Sequence, residues 1–301
     1  MRALVTGGAG FIGSHLVDAL VTEGAEVLVL DDLSRGRESF VNPGASLVRA
    51  DLAGPEAGEA VLRFAPEVVF HLAAQASVPM SLADPAADAR TNVLGTLNLL
   101  EACRRAGTRK VVYASSAAVY GDPRYLPVDE QHPLSPLSPY GVSKYTVELY
   151  LGVYHAVHGL EWTALRYANV YGPRQDALGE GGVVAVFVER LRRGEPLDVF
   201  GDGEQTRDFV FVGDVVRANL AAARAGSGRA LNVGTGRATS VNTLVARFSA
   251  LAGRPLEVRY LPPRAGDIRH SYLADGEARR ALGWEPAVDL TAGLKMILRD
   301  R

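Results

Sequence analysis

Tyr140 and Lys144 stand at i and i+4 in Tyr140-Gly141-Val142-Ser143-Lys144, a stretch that opens a helical pattern running to roughly His158. Residues so spaced share one helix face. A free phenol, with a pKa of about 10, is a poor base at neutral pH. A nearby ammonium stabilises the phenolate, so the pair is expected to lower the Tyr140 pKa and make it a general base. Ser116 ends the apolar run Lys110-Val111-Val112-Tyr113-Ala114-Ser115-Ser116, which reads as a strand, and it would hold a substrate hydroxyl in line. Lysine is scarce: Lys110, Lys144 and Lys295 are the three in the chain, which makes one at this distance from a tyrosine informative.

A base that takes a proton from an alcohol needs an oxidant beside it, and the start of the chain has room for one. Ala3-Leu4-Val5-Thr6 reads as a strand, Phe11, Ile12, Leu16 and Leu20 as a helix, and Gly7, Gly10 and Gly13 lie between and just beyond. One glycine makes the turn, one lets the backbone touch a pyrophosphate, and one packs helix on strand. The anion would rest on the free N–H groups of the helix start. Asp31 ends the apolar run Glu26–Leu30, 18 residues past Gly13, where a carboxylate accepts from an adenosine ribose and repels a 2′-phosphate. That favours NAD over NADP, although Arg35 and Arg37 follow closely and would welcome a phosphate. Asp51 ends a third strand and could meet the adenine amino group. A fourth, Val68–Gln75, opens into the small residues Ala73 and Ala74, which leave room for the pyrophosphate. His71 reads as strand-end packing, and Asn92, polar within an apolar helical pattern, as a partner for backbone or cofactor.

This alternation of strands and helices predicts an α/β fold, a Rossmann-type doubly wound parallel sheet. Ligands in such sheets bind beyond the carboxyl ends of the strands, where Ser116 stands. Residues 85–106 read as one long helix with Val93, Leu97 and Leu100 on its apolar side, and Trp162–Tyr167 as a sixth strand. From Tyr171 the composition shifts to glycine and arginine, which marks a change of domain. Helices are expected over 183–193, 215–223, 240–251, 278–282 and 290–298, and strands over 197–200 and 231–233.

The 301 residues suggest about two domains. A formal charge of -2 gives no basic field for nucleic acid, and no apolar run is long enough to span a membrane. The first strand begins at once, so no leader is expected. The single cysteine, Cys103, excludes an internal disulfide and fits a reducing, cytoplasmic setting. His155 and His158 lack an acidic partner, and no metal is expected.

Thr6–Gly13, His71–Ala74, Ser115–Gly121, Tyr140–Lys144 and Arg166–Arg174 together resemble the extended short-chain dehydrogenase/reductases, and among them the UDP-glucose (UDP-galactose) 4-epimerases. The resemblance covers essentially the whole chain. It implies a sheet of about seven strands, with 1–170 and a returning segment of about 208–234 binding NAD. The smaller α/β domain, about 171–207 and 235–301, would bind the nucleotide sugar. It implies Ser116, Tyr140 and Lys144 as catalytic residues. Cofactor contacts would come from Gly7, Gly10, Phe11, Ile12, Gly13, Asp31, Asp32, Ser34, Asp51, Leu52, Leu72, Ala73, Ala74, Gln75, Asn92, Tyr140, Lys144 and Tyr167. Substrate contacts would come from Ser116, Tyr140, Asn169, Phe200, Arg207, Arg264, Asp267 and Ser271, with the two arginines gripping a diphosphate and Phe200 stacking on a uracil or packing. Ala168 stands where the family often has a bulky aromatic. A small residue at Ser271 implies tolerance of N-acetylated UDP-sugars. The family also implies a homodimer through helices of about 85–106 and 140–158. Related dehydratases look like Thr-Asp-Glu where this chain has Ser116-Ala117-Ala118, so elimination lacks its acid–base pair. Uronic-acid epimerases and 4-keto-sugar reductases share the remaining pattern, whereas a non-catalytic NAD sensor usually loses the Tyr/Lys pair.

Overall fold

The computed structural model describes residues 1–177, 182–264 and 266–299. The chain begins with β1 (Arg2–Thr6), α1 (Phe11–Thr22), β2 (Glu26–Asp31), β3 (Ser46–Arg49), α2 (Pro55–Phe64) and β4 (Val68–His71). Next come α3 (Val78–Ala83), α4 (Pro85–Ala89), a π-helical turn (Arg90–Leu94) and α5 (Gly95–Ala106). Then follow β5 (Lys110–Ser116), α6 (Pro139–His158), β6 (Glu161–Tyr167) and β7 (Asn169–Tyr171). The last part holds α7 (Val183–Arg193), β8 (Leu197–Phe200), β9 (Thr206–Arg207), β10 (Phe209–Phe211), α8 (Val212–Ala222), β11 (Arg229–Val233), β12 (Thr239–Ser240), α9 (Val241–Ala252), β13 (Val258–Leu261), α10 (Gly276–Leu282) and α11 (Leu290–Arg299).

Seven parallel strands make the main sheet in the order β11-β6-β5-β4-β1-β2-β3. Its central strands β1, β2, β4 and β5 are mostly apolar and buried because both faces are covered, whereas the edge strand β3 is only partly buried. Side chains alternate between the layers: Ala3, Val5, Val29 and Phe70 pack with α1 and α8, while Leu4, Leu28, Leu30 and Val69 pack with α2, α5 and α6. The chain winds outward from β1 to β3 and then crosses to β4, so the order reverses between β1 and β4. At that reversal the loops after the two strands diverge and leave a crevice.

A second, smaller core gathers Phe187, Leu197, Val199, Leu244, Phe248 and Leu294 from α7, β8, α9 and α11. The expected boundary needs one correction at its far end. Ala278 of α10 and Trp284 join the core of the large sheet, not the smaller one. The Trp284 indole donates to the Asp214 carbonyl at 2.8 Å, which ties this segment to α8. The expected single helix over 85–106 is continuous but not uniform, because the π-turn at 90–94 adds a residue to one turn.

Candidate active site

The turn after β1 is shaped by what it must not contain. Gly7 has φ +69°, and a Cβ there would lie 2.7 Å from the Ala73 amide nitrogen. A Cβ on Gly13 would collide with the Gly7 carbonyl, which in turn accepts from the Gly10 N–H at 3.1 Å. The turn and the loop after β4 therefore touch through main chain alone. α1 begins without a side-chain cap and without an acidic residue in its first turn. Its leading N–H groups and positive end face the turn, an arrangement that fits a diphosphate.

Asp31, at the end of β2, stands at the far side of this cradle. Its carboxylate accepts from the Ala9 N–H at 3.0 Å and the Leu33 N–H at 2.9 Å, so it also braces the glycine turn. Burial raises its pKa, and those two backbone donors oppose the rise. Asp32 accepts from the Ser34 N–H at 2.9 Å and from its hydroxyl at 2.6 Å. The two arginines that follow Asp31 have partners: Arg35 reaches the Met80 sulfur at 3.1 Å, and Arg37 lies over the Phe40 ring. Asp51 pairs with Arg90 at 2.9 Å. Leu52, expected among the cofactor contacts, has its side chain buried in the core beneath the sheet, as an aliphatic group at a strand end does when a helix covers it.

Behind the cradle runs a chain of hydrogen bonds. The Ala73 N–H donates to the Thr6 hydroxyl at 3.2 Å, and that hydroxyl lies 2.8 Å from His71 Nδ1. His71 Nε2 lies 2.7 Å from the Thr96 hydroxyl, which donates to the Asn92 carbonyl at 2.6 Å. These directions make His71 a neutral donor at Nε2 and acceptor at Nδ1. Burial, with the Lys144 charge adding to it, pushes the His71 pKa down to about 3. His71 thus packs and connects, as expected of it.

Of the two partners expected for Asn92, backbone or cofactor, the structure shows backbone. The Asn92 side chain is 2% exposed and fully engaged with protein. The carbonyl accepts from the Gln75 N–H at 2.8 Å, and the amide donates to the Gln75 carbonyl, Asp88 and Ser143. It grips the loop that carries Leu72, Ala73, Ala74 and Gln75, and it does not reach into the crevice. The π-turn turns it inward; extra-residue turns of this kind recur at functional sites.

Ser116, Tyr140 and Lys144 come together where β5 ends beside the start of α6. Ser138 caps that helix by accepting from the Gly141 N–H at 3.1 Å, with Pro139 in its first turn, which sets Tyr140 at the mouth. The Ser116 hydroxyl accepts from the Ala118 N–H at 3.1 Å and shares the cavity wall with Tyr140, whose phenolate it favours. Lys144, buried, donates to the Ala114 carbonyl at 2.8 Å and lies over the Tyr113 ring at 4.9 Å. It is 5.7 Å from the centre of the Tyr140 ring. The expected depression of Tyr140 is not what the protein alone produces. Burial pushes the phenol up to about 12 against the Ser116 hydrogen bond, and burial pushes Lys144 down to about 8. Desolvation disfavours the charged form of each and is the leading cause of both shifts.

A cavity of about 280 Å³ opens in front of them, lined by Phe11, Ile12, Ser116, Tyr140, Tyr167, Asn169 and neighbours. Tyr167 lines it as well, while its hydroxyl accepts from the Asn219 side-chain amide at 2.8 Å. Asn169 begins β7 and is exposed. The other substrate candidates gather in the smaller lobe: the Arg264 guanidinium lies 3.9 Å from the centre of the Phe200 ring, so one face of that ring is already covered. Arg207 is half-buried, with Asp267 supporting its charge against burial. The Ser271 N–H donates to the Thr206 carbonyl at 3.1 Å, beside Arg207.

Sequence reasoning missed the floor of the site. Glu148, one turn beyond Lys144, accepts from the Ser115 hydroxyl at 2.6 Å and from Arg166 at 3.0 and 2.6 Å. Arg166 also donates to the Tyr120 hydroxyl at 2.9 Å, and Tyr120 donates to Asn232 at 2.7 Å. The signal was present in the spacing, because Glu148 continues the face of Tyr140 and Lys144. Its buried arginine partner comes from β6 and has no local signature.

A dinucleotide-type crevice with a Ser-Tyr-Lys constellation at the adjoining strand end defines the short-chain dehydrogenase/reductase class, in its extended form. The chain belongs to the NAD dependent epimerase/dehydratase family, whose profile matches residues 3–234. It is 47% identical over 296 residues to a putative UDP-glucose 4-epimerase of Methanocaldococcus jannaschii, covering 98% of this chain and 96% of that protein. Among solved structures it resembles the UDP-glucose 4-epimerase of Thermotoga maritima with UDP-glucose: TM-score 0.96, 48% identity, 99% and 97% of the two chains covered. It also resembles the Thermus thermophilus UDP-glucose 4-epimerase in complex with NAD: TM-score 0.94, 44% identity, 99% and 98% covered.

Proposed function

We propose that this protein interconverts the C4 epimers of a UDP-hexose, UDP-glucose and UDP-galactose, with NAD as a resident cofactor. NAD seated in the glycine cradle would accept a hydride from C4 and return it to the opposite face of a transient 4-keto sugar. Ser116 holds the C4 hydroxyl, and Tyr140 takes its proton and gives it back. With the phenol at about 12 in the protein alone, the charge of the oxidised cofactor is needed to bring Tyr140 into working range. Lys144, anchored on Ala114, supplies a fixed positive charge beside it. Asn169, Arg207 and Arg264 tether the nucleotide, and the hexose is left loosely held so that it can turn.

The observation that carries this reading is that Ser116, Tyr140 and Asn169 line one cavity, with Ala117 and Ala118 following Ser116 in the chain. No carboxylate stands at those two positions to drive elimination. Incubating the purified protein with UDP-galactose, without added cofactor, should yield UDP-glucose by NMR. Protein shown to contain NAD that leaves UDP-galactose unchanged would overturn the reading. The small side chain of Ser271 supports tolerance of an N-acetyl group, so UDP-GalNAc should also turn over, and a Ser271→Tyr change should abolish that alone.

The same reading includes a cytoplasmic homodimer. Val142, Leu149, Val153 and Val157 on α6 and Leu94 beside them are each at least half exposed, a contiguous apolar strip that a second copy would cover. Light scattering that gives the mass of one chain would rule the dimer out.

A further inference from the structure

Asp88 lies at the end of α4 and is 1% exposed. Its Oδ1 accepts from the Gln75 side-chain amide at 3.0 Å and from Asn92 at 3.1 Å. Its Oδ2 is buried without a hydrogen-bond partner among the described residues. A buried carboxylate oxygen left unpaired is costly, and one that persists calls for a reason. Asp88, Asn92 and Thr96 form a polar ridge at i, i+4 and i+8, all buried, on a helix face that elsewhere packs Leu99, Leu100 and Cys103. The ridge faces α6, where the Asn92 amide also donates to Ser143 at 3.1 Å, the residue before Lys144.

The titratable groups that face this ridge are Lys144 and Tyr140 from α6, Tyr113 from β5 and His71 from β4; Glu148, further along α6, is paired with Arg166. Burial keeps His71 and Tyr113 neutral at pH 7. Asp88 and Lys144 are then the opposed charges of this corner. We propose that Asp88 is a positioning residue: its carboxylate balances the buried Lys144 ammonium, sets the charge felt by Tyr140, and holds the Gln75 loop through Asn92. This deepens the proposed function, since it assumes that Tyr140 is the base.

Two consequences have a fixed sign. The negative charge of Asp88 disfavours the phenolate and supports the ammonium, so removing it lowers the pKa of both Tyr140 and Lys144. The test is a titration of the NAD-loaded protein followed by ultraviolet phenolate absorbance, with the Tyr140→Phe curve subtracted to isolate Tyr140. Asp88→Asn keeps an acceptor for Gln75 and Asn92 but loses the charge, and it should move the Tyr140 midpoint down by about half a pH unit or more. Asp88→Glu should titrate as wild type. Asp88→Ser removes the same charge and carries the same expectation should the Asn protein not fold. A Tyr140 midpoint unchanged in a folded neutral variant overturns the proposal. So does failure of both neutral variants to fold while Asp88→Glu folds, because the carboxylate would then be structural. Turnover enters none of these readouts. Protein that titrates as expected yet leaves UDP-galactose untouched would sink the proposed function and not this one.

Discussion

The two halves of the cleft are built in opposite ways. The dinucleotide side is main chain: a glycine turn, a helix start, and amides braced by Asp31 and Thr6. The side proposed for the nucleotide sugar is made of long side chains, Arg207, Arg264 and Phe200, carried on exposed or half-buried segments of the smaller lobe. A main-chain cradle has no rotamers to adjust, so one added methyl disrupts it. An arginine cluster is adjustable, because a guanidinium can be replaced in part by its neighbour or by water. The first kind of site is all-or-none, and the second is graded.

The strongest way to break this contrast is Gly13→Ala. Its Cβ meets the Gly7 carbonyl, and we expect loss of measurable NAD binding by calorimetry, with stability down by about 3 kcal/mol. An alanine protein that bound NAD normally would show that the cradle is plastic and the contrast false. Tyr140→Phe comes next. It removes the proton carrier but no part of the cradle, so turnover should fall by about 10³ with NAD retained. Comparable losses of both would mean that the phenol holds the cofactor rather than doing chemistry.

His71, on the border between the halves, gives an effect on stability instead. Its folded pKa of about 3 lies below the ordinary 6.5, so in that window the unfolded chain binds a proton that the folded chain does not. Stability therefore falls as pH drops. From this group alone the loss between pH 7 and pH 5 is up to about 2 kcal/mol. Urea unfolding at the two values checks it, and His71→Gln should flatten the slope. The smallest effect belongs to the adjustable side. Arg264→Ala should raise KM by about tenfold and change kcat by less than about twofold, since the tether binds ground and transition states alike. A fall in kcat as large as that of Tyr140→Phe would place Arg264 among the reacting groups.

What could be read along the chain is what depends on short range. The strand–turn–helix at Gly7–Gly13, the Tyr140–Lys144 face and the strand-end position of Ser116 follow from spacing and from glycine's freedom at positive φ. Many elements followed from apolar periodicity, including helices as far out as Leu290–Arg299, whereas α2, α3 and β13 were not read. The π-turn at Arg90–Leu94 could not be read, because one extra residue in a turn leaves the composition unchanged. Nor could the packing of Trp284 against α8, since apolar periodicity says that a residue is buried but not in which core.

The amino-acid order by itself determined the fold class and the three residues that face one another at the mouth of the cleft. Tertiary structure decided their charge states. Tyr140 is a weaker acid than an isolated pair would make it, and Lys144 gives up its proton more readily, because desolvation is a property of the surrounding wall. It also decided that Asn92 and Asp88 stand behind the cleft instead of in it. Burial and long-range charge are sums over neighbours far apart in the chain, and no local spacing encodes those sums.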